Sequence, residues 1–299
     1  MTPTLKSHPL YGLSLAGFGA LVLTPDALFI RLSEMGAWEM LFWRGILMGS
    51  VMYCVMLLTN PEPKKQVIRK AFSKNGLAVS TCQFVSTFTF ILGISQTSVS
   101  VILFALATSP IFGAFFSSLL LGERTHISTW AATIATLGGI LITVSDASHA
   151  IAAPDGSVIF GAICGLTAAA ALGLNFVILR KDDSLPVDAI MGNGAYMACI
   201  AALLINGTNG LLEGKIYFIA ITAMIVLPLS FYCLTSASRY IIAANIGLLM
   251  LLETILGPIW VWLGVGEQPT MQMIAGGVIV IVTLAIYVSY SARRLQQQA

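Results

Sequence analysis

The chain has 299 residues, of which 57% are hydrophobic and only 9% are charged, and its mean hydropathy is +0.90. A soluble domain carries roughly 25% charged residues, so this composition excludes a soluble globular protein and predicts an integral membrane protein. The net charge of +2 is too small to indicate a nucleic-acid partner. The five cysteines contain no CxxC pair and the three histidines are scattered, so we expect no disulfide framework, no metal site and no cofactor.

Apolar runs of membrane-spanning length predict ten transmembrane helices. In chain order they lie near 9–31, 37–58, 76–94, 98–121, 127–146, 157–179, 187–206, 215–235, 241–265 and 271–291. Only a short polar turn near 95–97 separates the third and fourth runs, and reading it as part of a helix would leave nine. The predicted fold class is therefore an all-α integral membrane protein that crosses the bilayer many times.

Basic residues divide unequally between the two sides of this ten-helix plan. Of the 15 Lys and Arg residues, Arg31 and Lys215 fall on one side and Arg44 lies within the second helix. The other side, which holds both termini, carries Lys6, Lys64, Lys65, Arg69, Lys70, Lys74, Arg124, Arg180, Lys181, Arg239, Arg293 and Arg294. Because cytoplasmic loops are enriched in basic residues, we predict cytoplasmic termini and, as the location, a bacterial inner membrane.

The chain also repeats itself. A shift of 144 residues lays PIFGAFFSSLLLGE (110–123) over TILGPIWVWLGVGE (254–267), and a shift of 149 lays residues 11–31 over 160–180. The sequence therefore predicts two five-helix repeats, 1–149 and 150–299. An odd number of helices inverts the second repeat in the membrane, and substrate sites of such proteins form near the midplane between the repeats.

These features resemble the EamA family of the drug/metabolite transporter superfamily. The resemblance rests on the 5+5 plan and on the run SQTSVSVILFALATSPIFGAFFSSLLLGER (95–124), which is followed by Gly138 and Gly139. Since family members include exporters of amino acids and other metabolites, the resemblance implies a secondary transporter that exports small metabolites by alternating access. The alternatives are an importer or exchanger of a nucleotide-like or cationic metabolite, and a channel.

Three charged residues within the predicted helices are the main candidates for substrate binding. Asp26 and Arg44 lie at similar depth in the first two helices, so they either form a structural ion pair or take part directly in binding or gating. Glu253 replaces the first repeat's Ser109 and has no basic residue near its depth in the same helix. It is interpreted as a cavity-facing carboxylate that binds a cationic group or a proton, or else as a hydrogen-bonded structural acid.

Four uncharged polar residues complete the candidate site. They are Gln83, Asn175, Tyr232 and Asn245, each within a predicted helix. Each side chain can bind a solute or hydrogen-bond a neighbouring helix. The sequence has no GxSxG, HExxH or GxxxxGK[ST] motif, so we expect neither an enzyme nor an ATP-driven pump. The expected partners are a small-molecule substrate and the lipid bilayer, and the sequence specifies no oligomeric state.

Overall fold

A computed structural model describes residues 9–96, 102, 105–123, 125–145, 158–266 and 271–298, and the statements below concern those residues. All regular secondary structure in these ranges is helical. In chain order it consists of α1 (Pro9–Leu23), α2 (Asp26–Ser33), α3 (Ala37–Thr59), α4 (Lys64–Ala71), α5 (Lys74–Gln96), α6 (Ser109–Leu121), α7 (Ile127–Ser145), α8 (Val158–Lys181), α9 (Val187–Asn206), α10 (Ile216–Ile221), a π-helical turn (Thr222–Val226), α11 (Leu227–Ala237), α12 (Ala243–Val265) and α13 (Met271–Gln298).

Seven helical stretches within the described ranges are long and apolar enough to cross a membrane. The joined pairs α1–α2 and α10–α11 account for Leu10–Ser33 and Ile216–Ala237, and the other five are α3, α5, α8, α9 and α12. They coincide with seven of the ten predicted helices. The prediction of a multi-pass helical membrane protein is thus confirmed.

The other three predicted helices are represented by further apolar helices. The fourth, 98–121, is described in part as α6, while its first residues lie mostly outside the described ranges. The fifth, 127–146, corresponds to the 19-residue helix α7, and the tenth to α13, whose apolar stretch runs from Ile274 to Tyr287. Lys6, Arg124 and Glu267 lie outside the described residues. The ten-helix, two-repeat layout stays a prediction.

The helices pack in pairs drawn from both halves of the chain. The most extensive contacts join α3 to α9, α5 to α8, α7 to α13, α1 to α11 and α6 to α8, while α12 packs against α6 and α1. The largest buried apolar cluster is contributed mainly by α1, α3, α8, α9, α11 and α12, with further residues from α4, α5 and the π-helical turn, and it includes Met52, Phe176 and Ile190. The two halves of the sequence therefore form one interleaved bundle.

The α3–α9 contact depends on Gly45. An alanine Cβ at this position would lie 2.6 Å from the Ala195 carbonyl oxygen and 2.7 Å from the Cys199 backbone nitrogen. Since these are backbone atoms of the facing helix, we expect Gly45→Ala to separate the helices and lower the free energy of unfolding by about 1 to 3 kcal/mol. Thermal unfolding in detergent, followed by circular dichroism, measures this loss.

Gly17→Ala is the matched control, because within the described part of the chain no side chain and no other helix lies within 4 Å of the Cβ that it would add to α1. Alanine is also a better helix former than glycine. The control should therefore unfold at or slightly above the wild-type temperature. If Gly45→Ala did the same, the close approach of α3 and α9 would be wrong.

Candidate functional site

A cavity lies between the helices of the two halves. Its lining comes from α1, α2, α3 and α5 in the first half and from α8, α9, α11 and α12 in the second, together with Leu106. Three charged side chains line it: Asp26, Arg44 and Glu253. Charges inside a membrane bundle are costly unless they face a partner or an aqueous space, so this cavity is the candidate functional site.

The break between α1 and α2 places Asp26 at the cavity. Pro25 has no N–H group to continue α1, and Thr24 turns back to bond the Leu21 carbonyl oxygen through both its backbone nitrogen and its hydroxyl. Asp26 then begins α2, where a carboxylate is favoured by the free N–H groups and the positive end of the helix dipole.

Arg44 on α3 forms a buried ion pair with Asp26. The Arg44 Nη2 atom lies 2.9 Å from Asp26 Oδ2, and the two side chains are only 6% and 3% exposed. The ion pair anticipated as one interpretation of the sequence thus forms. Whether these residues also bind substrate stays a prediction.

The ion pair leaves hydrogen-bonding capacity unused at the cavity. Asp26 Oδ1 and the Nε and Nη1 atoms of Arg44 are buried and have no hydrogen-bond partner among the described residues. Unmet polar groups in a protein interior are expensive, and a bound solute or water commonly supplies the missing partner. The pair therefore offers an incoming molecule one acceptor and two donors.

Glu253 on α12 completes the charged lining. Its residue is 7% exposed, and neither a hydrogen bond nor an ion pair reaches its carboxylate from the rest of the described chain. It is close enough to Asp26 and Arg44 to interact with both electrostatically. Since Asp26 and Arg44 offset each other, Glu253 is the unbalanced group, able to take up either a cation or a proton.

One face of α5 supplies the uncharged polar lining. Gln83, Ser86 and Thr87 are spaced three and four residues apart, lie on the same side of the helix and line the cavity. Gln83 donates to Thr87 Oγ1 at 3.4 Å and accepts from Asn175 Nδ2 at 3.1 Å. Asn175, on α8, is fully buried and is not among the lining residues, so it holds Gln83 in place from behind.

The remaining lining is apolar and partly aromatic. Phe90 and Phe231 line the cavity together with Met48 and Met250. Flexible methionines and aromatic rings form a surface that accepts apolar groups of varied shape. The cavity thus combines charged and apolar portions, as small-molecule sites commonly do.

Besides Asn175, two further predicted site residues do not line the cavity. Tyr232 is adjacent to Phe231 on α11 but is 43% exposed on the outside of the bundle. Asn245, near the start of α12, accepts a hydrogen bond from the Thr129 hydroxyl of α7 at 3.3 Å. The structure therefore brings Asp26, Arg44, Gln83 and Glu253 together, and it adds Ser86 and Thr87, which the sequence analysis did not single out.

Polar contacts tie helices together at the end of the bundle that carries Lys64–Lys74, Arg180 and Lys181, here called the basic end. Arg180 Nε lies 2.8 Å and 3.0 Å from the two carboxylate oxygens of Glu123, and Arg180 Nη1 donates to the Ser238 carbonyl oxygen at 3.4 Å. Gly122 permits this contact, since its φ of +67° lets the chain leave α6 in the left-handed conformation. Arg180 thus joins the ends of α6, α8 and α11.

The opposite end of the bundle has a different set of contacts. Asn206 donates to Glu39 at 3.3 Å, and the Trp43 indole donates to the Leu211 carbonyl oxygen at 2.6 Å. Lys215 forms an exposed ion pair with Glu34, and that hydrogen bond raises the pKa of Lys215. At this end Lys215 is thus accompanied by the acidic residues Glu34 and Glu39, whereas basic residues predominate at the basic end.

Buried charges around a cavity between membrane-crossing helices are typical of membrane proteins such as transporters and channels. Residues 12–145 match the model of the EamA-like transporter family. Over this range the chain is similar to that family, which is part of the drug/metabolite transporter superfamily, and the resemblance drawn from the sequence is confirmed there.

A solved structure titled "Crystal structure of protein" is similar in fold. The TM-score is 0.73 at 15% sequence identity, and the alignment covers 94% of this chain and 98% of the other. At this identity the likeness concerns the fold alone. No curated protein is significantly similar in sequence to this chain.

Proposed function

We propose that this transporter is a secondary carrier that exports small metabolites, amino acids or related compounds, by alternating access. The observation that supports it most is the cavity between the two halves, with its unpartnered carboxylate at Glu253 and unused donors on Arg44. Because family members include exporters of amino acids, export of a metabolite of that kind is the proposed direction.

The proposed architecture is ten membrane helices in two inverted repeats, 1–149 and 150–299. If the two repeats are equivalent, replacing each helix of a contacting pair by the corresponding helix of the other repeat should give a pair that is also in contact. The pairs α3–α9, α7–α13 and α6–α12 each map onto themselves, α5–α8 exchanges with α1–α11, and α6–α8 exchanges with α1–α12. This pattern is what a pseudo-twofold axis in the membrane plane would produce.

The proposed orientation has the basic end and both termini in the cytoplasm of a bacterial cell, with the chain in the inner membrane. The excess of basic residues at that end supports this assignment. In this orientation, the ion pair between Arg180 and Glu123 lies at the cytoplasmic end of the bundle. Alternating access would then require this contact to open when the far side closes.

The charges of the cavity suit a zwitterionic or cationic substrate. The unused Arg44 donors can bind a carboxylate of the substrate, and Glu253 can bind its ammonium group, while Phe90 and Phe231 contact an apolar side chain. If a proton and the cationic group compete for Glu253, the proton gradient can drive export. If the protein instead exchanges one substrate molecule for another, the same substrate-binding residues suffice.

Counterflow in proteoliposomes tests the proposed function. Vesicles that contain the purified protein are preloaded with unlabelled amino acids, nucleosides, polyamines or S-adenosylmethionine, one at a time. Uptake of the same compound in labelled form is then followed. A carrier should show saturable, competable counterflow for at least one amino acid or related compound. Counterflow of a nucleoside or polyamine alone would replace the proposed substrate class. Non-saturable flux would indicate a channel, and no flux from folded protein across the panel would overturn the proposal.

A further inference from the structure

The short helix α4 presents an unusual surface at the basic end of the bundle. It is eight residues long, too short to cross a membrane, and it packs against α5 and α9. Val67 and Ala71 are fully buried in the main apolar cluster, which fixes the rotation of the helix. The remaining residues of α4 are therefore held in defined directions on the outside of the bundle.

Two of the four basic residues of α4 are used within the protein. The Lys64 ammonium group donates to the carbonyl oxygens of Met56 and Asn60 at 3.4 and 3.3 Å and so caps the end of α3. Lys70 forms an ion pair with Glu62, at 2.8 and 2.9 Å from its two carboxylate oxygens. These two cations stabilise the local structure.

Lys65 and Arg69 are the other two, and both are exposed. They lie four residues apart, one turn above the other on the same face, and the described residues provide no hydrogen bond or ion pair to either. Ile68 and Phe72, also four residues apart, flank them and are 42% and 55% exposed. Two free cations thus stand beside two unburied apolar side chains.

This combination is the one found in helices that lie in the interface of a bilayer. The apolar side chains enter the acyl boundary, and the basic side chains reach the phosphate level. Since α4 follows the end of the membrane-crossing helix α3 by only a few residues, we expect its free cations at the height of the headgroups. We propose that α4 is a binding surface for anionic phospholipid headgroups, with Lys65 and Arg69 as the phosphate ligands.

Lipid counting by native mass spectrometry tests this proposal, which is independent of the transported substrate. The full-length protein is titrated in detergent with phosphatidylglycerol or with phosphatidylcholine of the same acyl chains. We expect wild-type protein to prefer phosphatidylglycerol, and Lys65→Gln/Arg69→Gln to reduce that preference about tenfold, allowing for partial screening of two juxtamembrane charges.

Arg31→Gln/Lys215→Gln is the control, because it removes the same net charge at the opposite end of the bundle and should retain the preference. Soluble glycerol phosphate should not displace the bound lipid, since it lacks the acyl chains that contact Ile68 and Phe72. The proposal is overturned if the α4 variant keeps the wild-type preference, if the control loses it equally, or if glycerol phosphate competes fully. Thermal unfolding of each variant verifies that the protein remains folded.

Discussion

Replacing Arg44 with glutamine is expected to destabilise the protein by about 3 to 5 kcal/mol, because it leaves buried charge without compensation. Arg44 is the single cation lining the cavity, as far as the described residues go, and both Asp26 and Glu253 lie near it. Its removal leaves two nearby buried carboxylates without a compensating cation. Thermal unfolding in detergent measures the loss.

The partner variants should behave differently from Arg44→Gln. Asp26→Asn is expected to be milder, because Arg44 keeps Glu253 as a nearby anion, and Asp26→Asn/Arg44→Gln should recover most of the lost stability. Lys70→Gln, which breaks the half-exposed pair with Glu62, should cost at most about 1 kcal/mol. If the double variant were as unstable as Arg44→Gln alone, the ion pair would not explain the role of Arg44.

Glu253→Gln is expected to have the largest effect on transport. Glutamine keeps the size of the side chain but carries no charge and takes up no proton, so both a cationic group and a proton lose their acceptor. A charge-assisted hydrogen bond contributes about 1.5 to 3 kcal/mol, and its loss should slow counterflow of a positively charged or zwitterionic substrate at least about tenfold. Counterflow and uptake driven by a pH gradient, measured on the same vesicles, report the two roles separately.

The outcomes for Glu253→Gln distinguish the two roles. If counterflow survives but the pH gradient no longer drives uptake, the carboxylate carries the proton and leaves the substrate to other groups. If counterflow is lost, Glu253 acts on the substrate itself. Glu213→Gln, in an exposed loop, should change neither measurement. Normal counterflow together with normal pH dependence in Glu253→Gln would remove Glu253 from the mechanism.

Hydropathy predicted the membrane-crossing helices because a helix in lipid must present an apolar surface along its whole length. That requirement is visible in one sequence without knowledge of neighbours. The π-helical turn at Thr222–Val226 left no comparable signal, although Pro228 follows it closely. Proline marks a place where the backbone hydrogen bonds must rearrange, but whether a kink or a π-helical turn results depends on packing.

The charged part of the site was also visible in the sequence, since Asp26, Arg44 and Glu253 are costly within apolar helices and must face an interior. The uncharged part was harder to recognise. Ser86 and Thr87 look like ordinary membrane-helix hydroxyls, which can bond their own backbone. Whether the side chains of Asn175 and Tyr232 reach the cavity depends on how their helices are rotated, and tertiary packing decides that rotation. In the structure, Asn175 lies behind Gln83, and Tyr232 faces outward.

The π-helical turn has a consequence for the shape of the cavity. A turn that contains one residue more than an α-helical turn rotates everything after it by about 100° relative to an uninterrupted helix. Leu227 and Phe231, which follow the turn, reach the cavity in this rotated register. An uninterrupted α-helix over the same residues would place a side chain neighbouring Phe231 at the cavity wall instead.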